Sequence, residues 1–418
     1  MRILLFGFGS RGDVQPLVAL GKGLREAGYE VSVAAARDFR AWIEGEGLTY
    51  ALINVDMEAA MQSEIGKNWL GGSNNSRAEM QAMKHMADTF ASSVSDDILA
   101  MLPEVDVVVS GVLTMESLAT AARFYGKQYL LGLTAPFAPS ASGSAGMQAL
   151  LPRSTSPINR WWGYVIEAFL YGVLKNVSVT MRTRLKLPPP TRADFLRAIN
   201  QTPTLLSASP LVVPPPPDWG SHIRVTGYWF DAAPVDYQPP ADLRAFLEAG
   251  EPPVYIGFGS MSNRDPQATT RLLLDALKQS GRRGVIHSGW AGLHAEDVPP
   301  DVLLVKHVPH DWLFPRMAGV IHHGGAGTTG AGLRAGVPSA VVAHIGDQPY
   351  WGRRIHELGV GAAPMRRHEL TAERLAATIR ALTGDAALSA RAAAFGERIR
   401  AEDGVGNAVK ALGEVVRR

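Results

Sequence analysis

Two glycine-rich stretches hold the side chains best suited to chemistry. The more informative reads His322-His323-Gly324-Gly325-Ala326-Gly327-Thr328-Thr329, after the apolar pair Val320-Ile321 and before a helical pattern. Glycine lets a backbone approach a ligand closely, a helix N-terminus offers free N–H groups and positive potential, and threonine hydroxyls add donors. Such a loop can hold a diphosphate without a metal, and a histidine at its mouth can add a hydrogen bond or a charge to a leaving phosphate. A small-residue turn with two half-buried histidines is the plainer alternative, but the density of glycine with paired histidines and paired threonines argues for phosphate. Further on, Asp347 and Gln348 follow the next apolar run, where a carboxylate and an amide can bind adjacent sugar hydroxyls. Asp347 would equally serve as an N-cap.

The second stretch is Gly7-Phe8-Gly9-Ser10-Arg11-Gly12, followed by Asp13. It matches the G-x-G-x-x-G pattern of dinucleotide sites, which wants an acidic residue at the end of the second strand and its third glycine inside a helix. Here the second strand runs out at Arg37. Asp13 is a good N-cap and Pro16 fits only a first turn, so the helix is expected to start after Asp13 and leave Gly12 in the loop. The dinucleotide reading is therefore the weaker one. Asp13 is a candidate general base at the mouth of the first strand-to-helix loop, against the plainer role of a cap. The only imidazole ahead of residue 213 is His85, within a helical pattern. No D-x-D metal motif occurs, so no divalent metal is expected.

These loops need strands to carry them. Apolar runs predict strands over 2–8, 30–35, 49–55, 105–110 and 128–133, alternating with helical patterns such as 14–27 and 114–124. A second series covers 253–258, 284–287, 302–305, 320–322 and 339–343. Their apolar character on both faces suits parallel sheets covered by helices. The strand-to-loop device recurs: Gly257-Phe258-Gly259-Ser260 echoes Gly7-Phe8-Gly9-Ser10. Between the halves, Pro214 to Pro217 and Pro239-Pro240 suggest an extended linker over 213–240. The expected organisation is an acceptor domain over 1–212, a nucleotide-sugar domain over 241–400 and a last helix within 401–418 returning to the first domain.

Taken together, the segment from Pro309 to Phe314, the glycine loop of 322–329, the run from Ala331 to Pro338 and Gly346-Asp347-Gln348-Pro349-Tyr350-Trp351 resemble the donor region of sterol glucosyltransferases. The opening Gly9-Ser10-Arg11-Gly12-Asp13-Val14-Gln15-Pro16 is similar to that of the same enzymes and of the vancomycin-type antibiotic glycosyltransferases. The resemblance implies an α/β GT-B fold, two Rossmann-like domains with parallel sheets facing across a cleft, and inversion at the anomeric carbon. It implies Asp13 as base; Ser10, Arg11, Gly12 and Ser260 near the donor phosphates; His322, His323 and the loop through Thr329 around the diphosphate. Asp347 and Gln348 would contact the sugar, and His307 and Val308 the nucleoside base. The donor would be a UDP- or dTDP-sugar, acting as co-substrate with no cofactor required.

Composition narrows the rest. The chain has 418 residues, 46% apolar and 19% charged, with a net charge of +2 and no cysteine. That excludes disulfides, thiolate nucleophiles and cysteine-held zinc, and gives no basic arm for nucleic acid. No run approaches the ~20 apolar residues of a membrane span, and the N-terminal run is short for a signal peptide, so a cytoplasmic protein, monomeric or weakly dimeric, with at most peripheral membrane contact is expected. Met57, Met61, Trp69 and Met83, then Phe137, Met147 and Trp161, gather in long connections and suggest walls for a bulky lipophilic acceptor. An NDP-sugar epimerase or a non-catalytic lipid- or nucleotide-binding module of the same fold are the competing readings.

Overall fold

The computed structural model describes the chain except residues 57, 58, 60–62, 64, 65, 67–75, 232–235, 260–265, 288–297 and 418, with backbone alone for 76–80 and 266. In chain order the elements are β1 Arg2–Phe6, α1 Arg11–Glu26, β2 Glu30–Ala36, α2 Arg40–Gly45, β3 Thr49–Ile53, α3 Ser76–Met101, β4 Val107–Ser110, α4 Met115–Phe124, β5 Gln128–Leu133, α5 Pro157–Arg184, α6 Arg192–Asn200, β6 Thr204–Leu206 and β7 Ile223–Val225. Then come α7 Ala241–Glu248, β8 Val254–Gly257, α8 Pro266–Ser280, β9 Gly284–His287, β10 Val302–Val305, α9 His310–Leu313, β11 Gly319–His322, α10 Ala326–Ala335, β12 Ser339–Ala343, α11 Gln348–Glu357, β13 Met365–Arg366, α12 Ala372–Gly384, α13 Ala386–Arg400 and α14 Gly404–Val416.

The chain forms two compact units, one of the described residues in 1–231 and 402–418, the other of those in 232–401. The first holds a parallel sheet in the order β3-β2-β1-β4-β5-β6-β7 and the second a parallel sheet in the order β10-β9-β8-β11-β12-β13. Strands β4, β8, β11 and β12 are buried along their whole length, as sheets covered on both faces require. In each sheet the strand order reverses once, between β1 and β4 and between β8 and β11. Open α/β sheets bind ligands outside the carboxyl ends of the strands at such points. The glycine loops after β1, β8 and β11 all start there.

The short strands β6, β7 and β13 carry too few residues for a periodic signal and were not expected from sequence. β7 also corrects the linker. The stretch from 213 to 231 is fastened to the first unit: Ser140 Oγ and the Ala141 N–H donate to Asp218 at 2.8 and 2.7 Å, and the Trp219 indole donates to the Ala138 carbonyl at 3.3 Å. The prolines there fix an extended path across that unit instead of spanning a gap. The last helix, α14, packs on α1, with Ala408 and Leu412 in the core of the first unit. Gly23 makes this possible, since a Cβ there would run into Val405.

Candidate functional site

In the first unit the chemistry sits where α1 begins. Ser10, not Asp13, is the N-cap, and Asp13 is the third helical residue. The two form a capping box: Asp13 Oδ2 accepts the Ser10 N–H at 2.8 Å and the Ser10 hydroxyl at 3.1 Å, while Ser10 Oγ accepts the Gly12 N–H at 3.3 Å. Gly9 has φ 141°, and a Cβ on it would run into the Asp13 carboxylate, so glycine is required. Gly12 lies inside the helix, contrary to expectation. It is nonetheless exposed, and a Cβ on it would meet only the Ser10 hydroxyl, at 3.5 Å. It therefore does not pack helix against strand as a dinucleotide glycine does, and that reading loses its ground by a different route.

Asp13 is exposed, with Oδ1 outside the capping box. Desolvation by the surrounding protein pushes its pKa up, against the Ser10 hydrogen bonds, which pull it down. The direction of this shift favours a proton acceptor. Beside it, Arg11 lies over Trp42, 4.6 Å from the ring centroid, and burial lowers the guanidinium pKa against the pull of Asp231 and Glu46. Trp42 and Asp231 were not singled out from sequence, because nothing in their local pattern points to Arg11.

In the second unit the loops after β8 and β11 meet. His322 is fully buried, and its Nδ1 accepts the Gly324 N–H at 3.0 Å, which fixes the turn. It holds the loop in shape. His323 stands between glycines: a Cβ on Gly259 would come within 3.1 Å of its ring, and one on Gly325 within 2.5 Å. Gly324 has φ 93°, and a Cβ there would sit 2.6 Å from Val341 and 2.9 Å from the Gln348 carbonyl. Gly325 caps α10 with no side-chain hydrogen bond. The N–H groups of Ala326, Gly327 and Thr328 therefore begin the helix with no side-chain cap. Gly327 is exposed, Thr328 is half-buried and Thr329 is buried with its hydroxyl unpartnered.

The histidines are held neutral. Burial drives His322 well below its ordinary value, His323 to about 4 and His344 to about 3, and lowers His287. His287 and His344, at the ends of β9 and β12, are additions that the sequence reading missed. Each stands alone in its own apolar run, with no motif to mark it. Asp347 occupies the N-cap position of α11 but makes no capping bond; its Oδ2 accepts the Trp351 indole N–H at 2.7 Å. Gln348 is buried, and its oxygen accepts the N–H groups of His344 and Ile345 at 2.7 and 3.1 Å. His307 is exposed and Val308 half-buried after β10.

Two family models match this chain: the Glycosyltransferase family 28 N-terminal domain over 3–101 and the Erythromycin biosynthesis protein CIII-like C-terminal domain over 271–414. Two sterol 3-beta-glucosyltransferases of Arabidopsis thaliana are each 32% identical over 99% of the chain, which spans 65% of the length of one and 68% of the other. The chain belongs to the sterol glucosyltransferase family. Among solved structures, the glycotransferase of kitacinnamycin aligns with a TM-score of 0.69 and 17% identity, over 99% of this chain and 98% of that one. A glycosyltransferase of Streptomyces sp. SF2575 complexed with thymidine diphosphate aligns with a TM-score of 0.63 and 19% identity, over 99% of both chains. The fold is GT-B.

For a sterol glucosyltransferase relative, the residues expected to meet the acceptor divide. Met57, Met61 and Trp69 lie outside the described residues, as does Ser260 on the donor side. Met83 is half-buried on α3, two turns before Phe90, whose ring meets Phe8 edge to face at 6.3 Å. Phe8 belongs to the Asp13 loop, so this pair, missed from sequence, joins the helix that carries Met83 to the loop of the candidate base. Phe137 and Met147 are half-buried in the connection between β5 and α5. Trp161 is 61% exposed, near the start of α5.

Proposed function

We propose that this chain is an inverting glycosyltransferase that moves a hexose from a UDP- or dTDP-sugar to a hydroxyl of a lipophilic acceptor, sterol-like or a polycyclic or macrocyclic natural product. One observation carries it: the glycine loop leads into a helix whose first N–H groups have no side-chain cap, beside neutral histidines, at the topological switch point of the second sheet. That is a site for an anion such as a diphosphate. Asp13 takes the proton of the acceptor hydroxyl as its oxygen attacks the anomeric carbon. The bond to the diphosphate breaks, and the charge growing on that leaving group is met by the N–H groups of α10, Thr328 and His323. A single displacement of this kind inverts the centre. Family membership and the relatives' name favour glucose and a sterol-like alcohol. The thymidine diphosphate complex keeps a dTDP-sugar within range.

The test is a transfer assay with labelled UDP- and dTDP-sugars against sterols, macrolide-type aglycones, flavonoids and free sugars. Transfer to a lipophilic alcohol is expected, with the rate retained after exhaustive chelation by EDTA. Preference for free sugars or short peptides would break the acceptor reading. Isomerised donor with no acceptor consumed would make the chain an epimerase, and loss of rate restored by Mg²⁺ would break the metal-free reading.

A further inference from the structure

The second unit holds a buried side chain whose hydrogen bond the transfer step does not use. Trp351 of α11 is fully buried, and its indole N–H donates to Asp347 Oδ2 at 2.7 Å. Indole is a donor only, so a buried ring of this kind needs an acceptor. A backbone carbonyl would serve. Trp351 takes instead the carboxylate at the start of its own helix, four residues back and on the same face.

The backbone steers the carboxylate to that donor. An aspartate before a helix ordinarily accepts from the N–H of the second or third helical residue. Here the second is Pro349, which has no N–H, and the third is Tyr350, whose N–H goes to the Asp347 carbonyl at 3.0 Å. Asp347 accordingly makes no capping bond. Trp351 lies edge to face with Tyr350, with ring centroids 4.9 Å apart, and Tyr350 is buried too. The plane of the carboxylate is therefore set by a ring locked in the core.

That carboxylate stands beside the glycine loop. Val341 of β12 lies under both: a Cβ on Gly324 would come within 2.6 Å of it, and one on Gly352, next to Trp351, within 2.8 Å. Loop and helix thus keep one spacing, fixed by backbone packed too closely for side chains. A carboxylate beside an anion site repels the anion, so Asp347 gains nothing from the phosphates of a ligand. It can bind neutral hydroxyl donors attached to them, such as those of a hexose.

We propose that Trp351 is a positioning residue for the donor: its indole holds the Asp347 carboxylate off the helix cap and presents it to the hydroxyls of the donor's hexose, a role resting on the nucleotide-sugar reading of this unit. The test is titration calorimetry of the full chain with UDP, dTDP, UDP-glucose and dTDP-glucose. Trp351→Phe keeps a ring and loses the N–H. It should weaken the sugar donors roughly tenfold and leave the bare nucleotides within a factor of about two. Asp347→Ala should show the same split, and adding Trp351→Phe to it should cost nothing more, because the indole acts through the carboxylate. Pro349→Ala returns an N–H that competes with the indole, and should weaken the sugar donors a few-fold without emptying the core. Equal losses for nucleotides and sugar donors in Trp351→Phe, or no loss, would make Trp351 a packing residue and overturn the proposal. So would a further loss from Trp351→Phe in the Asp347→Ala chain. Should Trp351→Phe fail to fold, Pro349→Ala decides alone, and unchanged affinity for the sugar donors would overturn it. A wild-type chain that binds none of the four ligands would overturn the nucleotide-sugar reading itself.

Discussion

The two glycine loops start from the same device and treat the following helix in opposite ways. In the first unit, Ser10 and Asp13 close a capping box over the N-terminus of α1, so its donors are satisfied from within and a carboxylate is fixed there. In the second, Gly325 leaves α10 with no side-chain cap and neutral histidines stand beside it. A capped helix with a carboxylate repels an anion, and an uncapped one attracts it. On the proposed function, the same strand-turn-helix unit would supply a base in one place and a phosphate cradle in the other, the difference being set by serine and aspartate against glycine.

Breaking the carboxylate should have the largest effect. Asp13→Asn keeps an oxygen to accept from Ser10 and so keeps most of the cap, but it cannot take a proton. Transfer should fall by roughly 10²–10⁴, while UDP and dTDP affinity in calorimetry stays within a factor of about two. Turnover above about half of wild type would reduce Asp13 to a helix-capping residue. Breaking the other loop should have the reverse signature. His323→Ala should weaken nucleoside diphosphate binding and slow transfer together, each by roughly tenfold. Unchanged affinity and turnover would remove His323 from the site.

Gly324→Ala tests whether the cradle's shape is as constrained as its φ implies. The methyl group would meet Val341 and the Gln348 backbone at a left-handed φ. A loss of about 1–3 kcal/mol in denaturant unfolding is expected. Gly327→Ala, where a Cβ would have open space, should unfold like wild type. Equal stability of the two variants would mean the loop can relax.

Much of this was legible in the residue order because each element carries its own local signal. Strands such as Gln128–Leu133 and Ser339–Ala343 are continuous apolar runs between turn residues, and both glycine loops stand at strand ends. Caps were harder. Asp13 and Asp347 are both good N-cap types, yet Ser10 caps α1 and Asp347 holds Trp351. Several residue types satisfy one geometry, and only the backbone decides between them. Contacts remote in sequence left no trace at all: Phe8 with Phe90, Arg11 with Trp42, and His323 beside Gly259. Trp161 shows the limit of composition. Composition places an aromatic there, and only helical phase sets its 61% exposure near the start of α5.

The smallest effect expected is the most specific to the second loop. Burial holds His323 neutral, with a pKa of about 4 against an ordinary value of 6.5. The unfolded chain therefore binds more protons than the folded one between those values. His323 contributes its stability fully above pH 6.5, and loses it progressively as pH falls toward 4. His344 and His322 act in the same direction. A bound diphosphate reverses the balance, because its charge favours the imidazolium and raises the His323 pKa. The complex then holds more protons than the free protein, so diphosphate affinity should rise as pH falls from neutral, by a few-fold at most. Calorimetry in two buffers of different ionisation enthalpy measures this as proton uptake, and His323→Ala should abolish most of it. Proton release on binding, or the same uptake in the variant, would show that the charge on the diphosphate is met by N–H groups and hydroxyls alone. The loop would then differ from its partner in the first unit only by its missing cap.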